Sequence, residues 1–454
     1  MARKGNKILF GAMSLGLGSV IAKLLGAVYR VPLTNLLGGT GLGLYQMVFP
    51  VYAVLLDFSG AGVPNALAKL ISEGDEHDRY NRGYVYLWSA VKLFVIIGLI
   101  FSFLMFVFAK PISSAQGNQN AYLGYIFLSP AIVLVAILSC FRGYFQGLMK
   151  MTPTAISQIV EQFFKTAFGL ALVYTLRKNL SWAVGGATLA ITISEFFALM
   201  YLYVVYKRNK NKFEFKFEIG KSYFKENVKK ILKITFPITL VGIMIPLSQV
   251  IDSFLVLNIL GGYRTDATAL YGLLSGVVAT VIGLPVSVCY GIATVAVPTV
   301  SGAKTVVEKD KNGAKTLIYT LMVSLPLAVL CYIFAPFIIK LLFRGLSGVE
   351  KITAINLLRV CSPCIVFLAF LQTGNAVLIG KGKPYLSVFS LSIGVLVKEF
   401  LNFQLLKIPK LNIYGGAIAL IACYFTVCLI NLISTLSFKV KYDNENACRR
   451  QYAG

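Results

Sequence analysis

Long apolar runs dominate this chain and leave few folds open to it. Twelve of them lie near residues 8–30, 44–70, 84–108, 122–147, 154–176, 182–206, 231–259, 269–299, 315–340, 355–379, 385–406 and 413–438. Each is long enough to cross the hydrocarbon layer as a helix, which takes about twenty residues. A segment in lipid must satisfy its own backbone hydrogen bonds, so only helices and closed barrels can span. The runs are too long and too unbroken for barrel strands. Composition agrees, with 13% charged residues where soluble domains carry about 25%. The expected fold is an all-α polytopic membrane protein of about twelve transmembrane helices. Met1 to Lys7 is short, basic and followed at once by an apolar run without a small-residue cleavage site, which reads as a retained first span.

The net charge of +25 raises the question of nucleic acid. The basic residues sit between the apolar runs rather than on one soluble face, so no nucleic-acid partner is expected. They set orientation instead, because cytoplasmic loops are enriched in Lys and Arg. With the N-terminus inside, the even-numbered loops and both termini hold 28 of the 43 basic residues and the opposite side holds 10. The remaining five, Lys23, Lys92, Lys165, Arg359 and Lys398, fall within spans. This predicts both termini on the cytoplasmic side.

The chain also repeats itself. Leu37-Gly38-Gly39 answers Leu260-Gly261-Gly262, Leu44-Tyr45 answers Leu270-Tyr271, Lys150 to Pro153 answers Lys381 to Pro384, and Gly185-Gly186-Ala187 answers Gly415-Gly416-Ala417. The offset drifts slowly and covers six spans, which keeps both halves in one orientation. The expected domains are an N-terminal six-helix lobe over 1–206, a basic cytoplasmic linker over 207–230 and a C-terminal six-helix lobe over 231–454. A pseudo-twofold along the membrane normal would relate them, around a central cavity suited to alternating access. Pro50, Pro64, Pro130, Pro237, Pro246, Pro285, Pro298, Pro326, Pro336 and Pro363 are expected to bend spans. Gly143-x-x-x-Gly147 predicts close helix approach.

Charges inside spans are costly and face a cavity or a partner. Lys23, Arg30, Lys165, Arg359 and Lys398 are the basic candidates; Asp57, Glu161, Glu195, Asp252 and Glu399 are the acidic ones. Lys23 lies too deep in its span for easy snorkelling, with no carboxylate within a turn, and is expected to face the cavity. Arg30 and Arg359 lie near outer ends, where long side chains also reach the interface. Glu161 and Lys165 are four apart on one helix face and are expected to neutralise each other. Lys398 and Glu399 are adjacent and are expected to point to different faces. Asp252 falls opposite Tyr29 and Arg30 by the repeat offset, which suggests an Arg30–Asp252 gate pair. The substrate-binding set is therefore Lys23, Arg30, Asp57, Glu161, Lys165, Arg359 and Lys398, with Asp252 and Glu399 as gate or coupling residues. A basic chamber favours an anionic substrate such as a phosphate or diphosphate.

Other signals are weak. Cys361-Ser-Pro-Cys364 lacks the soluble βαβ setting of a redox pair. Gly302-Ala-Lys304-Thr305 lacks the Gly-Lys-Ser/Thr run of a phosphate loop. His77, within Glu73 to Asp78, reads as part of a solvated loop. No cofactor, metal or enzymatic activity is expected. Coupling to membrane potential, Na+ or H+ is the anticipated energy source.

The segment Lys23-Leu-Leu-Gly-Ala-Val-Tyr-Arg30, continuing to Gly39, resembles the first span of the stage V sporulation protein B family. So does Arg142-Gly-Tyr-Phe-Gln-Gly147, followed by Met151-Thr-Pro153 through Glu161-Gln162. The resemblance places the chain near the lipid II flippases of the multidrug/oligosaccharidyl-lipid/polysaccharide exporter superfamily. It implies a bacterial cytoplasmic membrane protein that flips an undecaprenyl-diphosphate-linked saccharide, with Lys23 and Arg30 lining the cavity. Partners implied are the lipid-linked glycan and cell-envelope or sporulation machinery. Lipid II flippases carry two further C-terminal helices beyond the twelve spans counted here, which leaves other lipid-linked oligosaccharides open. A cation-coupled multidrug exporter and a non-transporting scaffold are the competing readings.

Overall fold

The computed structural model describes residues 2–73, 78–210, 221–303 and 305–451, with side chains placed for 25–26, 28–73, 79–208, 224–303 and 305–435. All elements among them are helical. Contacts divide the chain into two compact units, Met1–Phe254 and Leu255–Gly454. The first holds α1 (Ala2–Leu56), a π-helical turn (Asp57–Ala61), α2 (Val63–Ser72), α3 (Asp78–Val107), α4 (Ala109–Ala115), α5 (Tyr122–Gly147), α6 (Met151–Leu176), α7 (Leu180–Lys210) and most of α8 (Lys221–Gly261). The second holds α9 (Ala267–Gly272), a π-helical turn (Leu273–Val278), α10 (Ala279–Ser301), α11 (Val306–Ile333), α12 (Ala335–Leu342), α13 (Gly348–Cys361), α14 (Cys364–Gly380), α15 (Pro384–Leu405) and α16 (Tyr414–Gln451).

Ten helical runs among the described residues are long and apolar enough to span, or eleven with α13 and α14 joined across their 47° bend. The chain is a multi-pass membrane protein, and every expected span falls on a helix. One boundary differs. Residues 31–43 were expected to connect two spans, yet α1 runs on through them. The connection is the single residue Gly38, at φ 66 and ψ −175, a conformation open essentially to glycine alone. No charge lies between Val31 and Gly43, so nothing stops the helix before Gly38.

Proline effects divide by position. Pro363 marks the 47° bend between α13 and α14. Pro64 and Pro336 open α2 and α12, where a missing N–H costs nothing. Pro50, Pro130, Pro237, Pro246, Pro285, Pro298 and Pro326 lie inside continuous helices.

The repeat is visible in local geometry. Phe108 and Phe334 take nearly the same conformation, φ −87, ψ 8 and φ −88, ψ 9, and each opens a short helix after a long span. The turn after α5 donates Lys150 N–H to Phe145 O with Met149 at φ 59; the turn after α14 donates Lys383 N–H to Leu378 O with Gly382 at φ 78. Both are helix-ending turns with a left-handed residue. They match Lys150 to Lys383, two residues beyond the Lys381 that identity alone selects.

Close approach by glycine is borne out in the first unit. A Cβ at Gly143 would stand 2.8 Å from Pro64 Cα, and one at Gly147 would stand 2.6 Å from Ile71 Cβ. This seats α5 against α2. Around that crossing Leu67, Leu87, Phe94, Phe141, Phe145 and Leu202 form a closed core.

Candidate functional site

In the first unit the described intramembrane charges that interact most closely gather where α5, α6 and α7 meet. The turn at Leu148–Lys150 folds α5 and α6 into an antiparallel hairpin, bringing Arg142 opposite Ser157 and Glu161. The Arg142 guanidinium donates through Nη2 to Glu161 Oε2 at 2.8 Å and through Nε to Ser157 Oγ at 3.1 Å. Ser157 Oγ in turn donates to the Thr154 carbonyl at 2.7 Å. Gln162 Nε2 donates to the other carboxylate oxygen, Glu161 Oε1, at 3.1 Å. Both Glu161 oxygens are thus occupied. The ion pair is largely buried, at 16% and 18% side-chain exposure, where such charge-assisted bonds are strongest.

This corrects the expected Glu161–Lys165 neutralisation. The i,i+4 spacing is real, but the planar Arg142 fork and Gln162 take the carboxylate first. Lys165 turns elsewhere. Its ammonium lies 5.8 Å from the centre of the Tyr29 ring and 5.9 Å from that of Phe49, at the outer range of cation–π attraction. Tyr29 and Phe49 are twenty residues apart, and an unbroken helix would separate them by about 30 Å. The break at Gly38 brings both to one lysine. Glycines also set the approach of α1 to α6: a Cβ at Gly169 would overlap the Tyr29 hydroxyl, and one at Gly26 would meet Gln162 Oε1 at 3.2 Å. Tyr45, Phe49 and Tyr52 continue as a row of rings with centroids 6.1 and 6.0 Å apart.

Glu195, on α7, completes the cluster. It is buried at 6% exposure, its Oε2 has no hydrogen-bond partner, and it lies within electrostatic reach of Glu161, Arg142 and Lys165. Two acids and two bases therefore share one region with one direct ion pair among them.

The remaining candidates are dispersed. Lys23 lies on α1, but its side chain is outside the described residues, as is His77. Arg30 is half-buried and, like the half-buried Asp252 on α8, holds polar or electrostatic contacts. Asp57 opens the π-helical turn, a feature frequent at functional sites. Its Oδ2 faces Gly242, where a Cβ would lie 3.5 Å away, and its carbonyl accepts from Thr239 Oγ1 at 3.4 Å. Among the described residues no cation pairs with Asp57.

In the second unit, Lys398 and Glu399 do not diverge as expected. Lys398 Nζ lies 3.3 Å from Glu399 Oε1, with side chains 7% and 15% exposed. A long lysine stem can swing across one helical step, and a lone charge in lipid costs at least about 2.5 kcal/mol. Arg359 is the twelfth residue of α13, about 16 Å along that helix, because the helix starts at Gly348 rather than near residue 355. It is exposed, with its guanidinium 6.0 Å from the Tyr332 ring.

The turn geometry reveals a relationship that identity matching hides. Lys165 is the fifteenth residue of α6 and Lys398 the fifteenth of α15. They are repeat equivalents, one beside aromatic rings and one beside a carboxylate. Arg142 was missed because, five residues from the end of α5, it counted with the cytoplasmic loop. Its signal was an arginine inside an apolar run with a glutamate in the next span.

Comparison with known proteins follows the same lines. The sequence profile described as "Polysaccharide biosynthesis protein" matches residues 8–304, and that of MatE matches 237–403. The chain is 27% identical to the lipid II flippase MurJ of Bacillus subtilis, over 94% of this chain and 81% of that one. It is 26% identical to stage V sporulation protein B of the same organism, over 95% and 85%. Among solved structures it resembles an inward-facing multidrug resistance MATE family transporter of the MOP superfamily, with TM-score 0.78, 15% identity, and 96% and 99% coverage. It also resembles lipid II flippase MurJ in an inward closed conformation, with TM-score 0.71, 15% identity, and 92% and 87% coverage.

Proposed function

Because the chain belongs to the polysaccharide biosynthesis protein family, we propose that it is a flippase moving an undecaprenyl-diphosphate-linked saccharide from the cytoplasmic to the outer leaflet of a bacterial inner membrane. The observation that carries this reading is Lys165. It is an intramembrane ammonium faced by two aromatic rings and by no paired carboxylate among the described residues. Such a group recognises a diphosphate, because a ring face attracts a cation without neutralising it. The likeness to lipid II flippase MurJ and to stage V sporulation protein B supports a lipid-linked substrate.

Transport proceeds by alternating access. With a cell interior negative inside, an anion leaves downhill by about 2.3 kcal/mol per charge per 100 mV, so the potential alone supplies drive. Coupling to Na+ or H+ is tested by imposing each gradient separately. Both termini face the cytoplasm in this reading, and the saccharide is a peptidoglycan or other polysaccharide precursor, handed on to cell-envelope or sporulation machinery. In this reading Lys23 and Arg30 add to the positive surface of the first unit that meets the headgroup. Arg30 and Asp252 form the gate, tested by charge reversal of both, which restores transport lost in either single variant.

Two observations favour a second reading. The MATE-like fold and an Asp57 with no paired cation suit a cation-coupled drug exporter. Proteoliposomes containing the purified protein decide between them. Transbilayer movement of a fluorescent undecaprenyl-diphosphate saccharide, with no uptake of a cationic dye such as ethidium, is the expected result. Dye transport without lipid movement overturns the proposal. Movement of neither points to a scaffold.

A further inference from the structure

We infer that Arg142 is a positioning residue for anion recognition: by holding Glu161, it keeps the Lys165 ammonium available to substrate. This rests on the flippase reading and assigns a role to a residue that touches no substrate. The hairpin geometry makes the case. Arg142 and Ser157 lie at nearly equal distances from the centre of the turn, so the antiparallel helices set them side by side. Ser157 Oγ fixes the guanidinium by accepting from Nε at 3.1 Å, and Nη2 then reaches Glu161 Oε2 at 2.8 Å. With Gln162 on Glu161 Oε1, both carboxylate oxygens already hold a partner, and Lys165, one turn further along α6, lies against the Tyr29 and Phe49 rings instead. Without Arg142 the same carboxylate stands at i,i+4 from an ammonium in a low-dielectric setting, where an ion pair forms.

The second unit shows this lysine with a carboxylate beside it. The repeat equivalent of Lys165 is Lys398. At the offset given by the two turns, Asn375 stands for Arg142 and Gly394 stands for Glu161. Asn375 Oδ1 accepts from Asn431 Nδ2 at 2.9 Å rather than holding an acid. There the lysine lies 3.3 Å from Glu399.

The test uses the full-length protein in nanodiscs and two readouts. One is binding of undecaprenyl diphosphate; the other is acylation of Lys165 by a membrane-permeant amine-reactive ester, read by mass spectrometry. In Arg142→Gln, both binding affinity and Lys165 acylation fall by roughly tenfold or more, the scale of breaking a buried charge pair. In Arg142→Gln with Glu161→Gln, both recover to within a few-fold of the parent. A double variant as impaired as the single one overturns the inference, because a merely structural arginine is not rescued by removing the acid. If Arg142→Gln does not fold, Arg142→Lys decides in its place. It keeps the charge but loses the fork, so the same partial loss and the same rescue by Glu161→Gln are expected, and absence of rescue overturns the inference. Lys165→Gln separates the two claims. If it binds the diphosphate as well as the parent while Lys165 acylation in the Arg142 variants follows the expected pattern, Arg142 still positions Lys165 but the anion reading fails.

Discussion

At the residue scale, the partner of each intramembrane charge matters more than its presence. Lys165 and Lys398 occupy the same place in two repeats, yet only Lys398 sits against a carboxylate, 3.3 Å away. Different consequences follow for their removal. Lys398→Gln leaves a largely buried Glu399 without that ion partner and should cost about 3 kcal/mol of stability or more. The double variant with Glu399→Gln should recover most of it. Thermal denaturation of the purified protein measures both. If Lys398→Gln melts with the parent, the pair contributes nothing to the fold. Lys165 and Glu161 were legible in the sequence as charges but not as partners. The i,i+4 rule suggested one pairing, and an arginine on another helix, counted with the cytoplasmic loop, took the acid instead. Sequence spacing reports which groups can meet; it does not report which competitor is nearer.

At the element scale, single glycines decide where helices turn and touch. Gly38 alone separates the two spans of α1, and its conformation excludes a Cβ at modest strain. Gly38→Ala should lower stability by about 1–3 kcal/mol and disturb the approach of Phe49 to Lys165. Reduced diphosphate binding alongside a lowered melting temperature would show this, and unchanged binding would separate the break from the site. Gly143→Val tests packing. Its Cβ would press on Pro64 Cα at 2.8 Å, a backbone atom that cannot swing aside, so about 1–3 kcal/mol of overpacking is expected by thermal shift. The Leu37-Gly38-Gly39 motif was visible as a repeat. That it replaces a whole loop was not, because an uncharged apolar stretch gives no sign of where a helix stops. The helix-ending turns carry the same lesson. Matching Lys150 with Lys381 by identity misses the hydrogen bonds that equate it with Lys383, and with them the equivalence of Lys165 and Lys398.

At the scale of the whole molecule, hydropathy carried the fold. Lipid forces each crossing to be a long apolar helix, so spans were readable directly, including the one that bends at Pro363. The site was readable only in outline, since function rests on how a few polar groups divide among one another. In the flippase reading, Lys165, an intramembrane lysine with no direct ion pair among the described residues, recognises a diphosphate. The deciding measurement is competition between undecaprenyl diphosphate and uncharged undecaprenol for the protein in nanodiscs, with and without Lys165→Gln. The parent should prefer the diphosphate by roughly tenfold or more, and Lys165→Gln should lose most of that preference while still binding undecaprenol. An equal preference in parent and variant would contradict the claim.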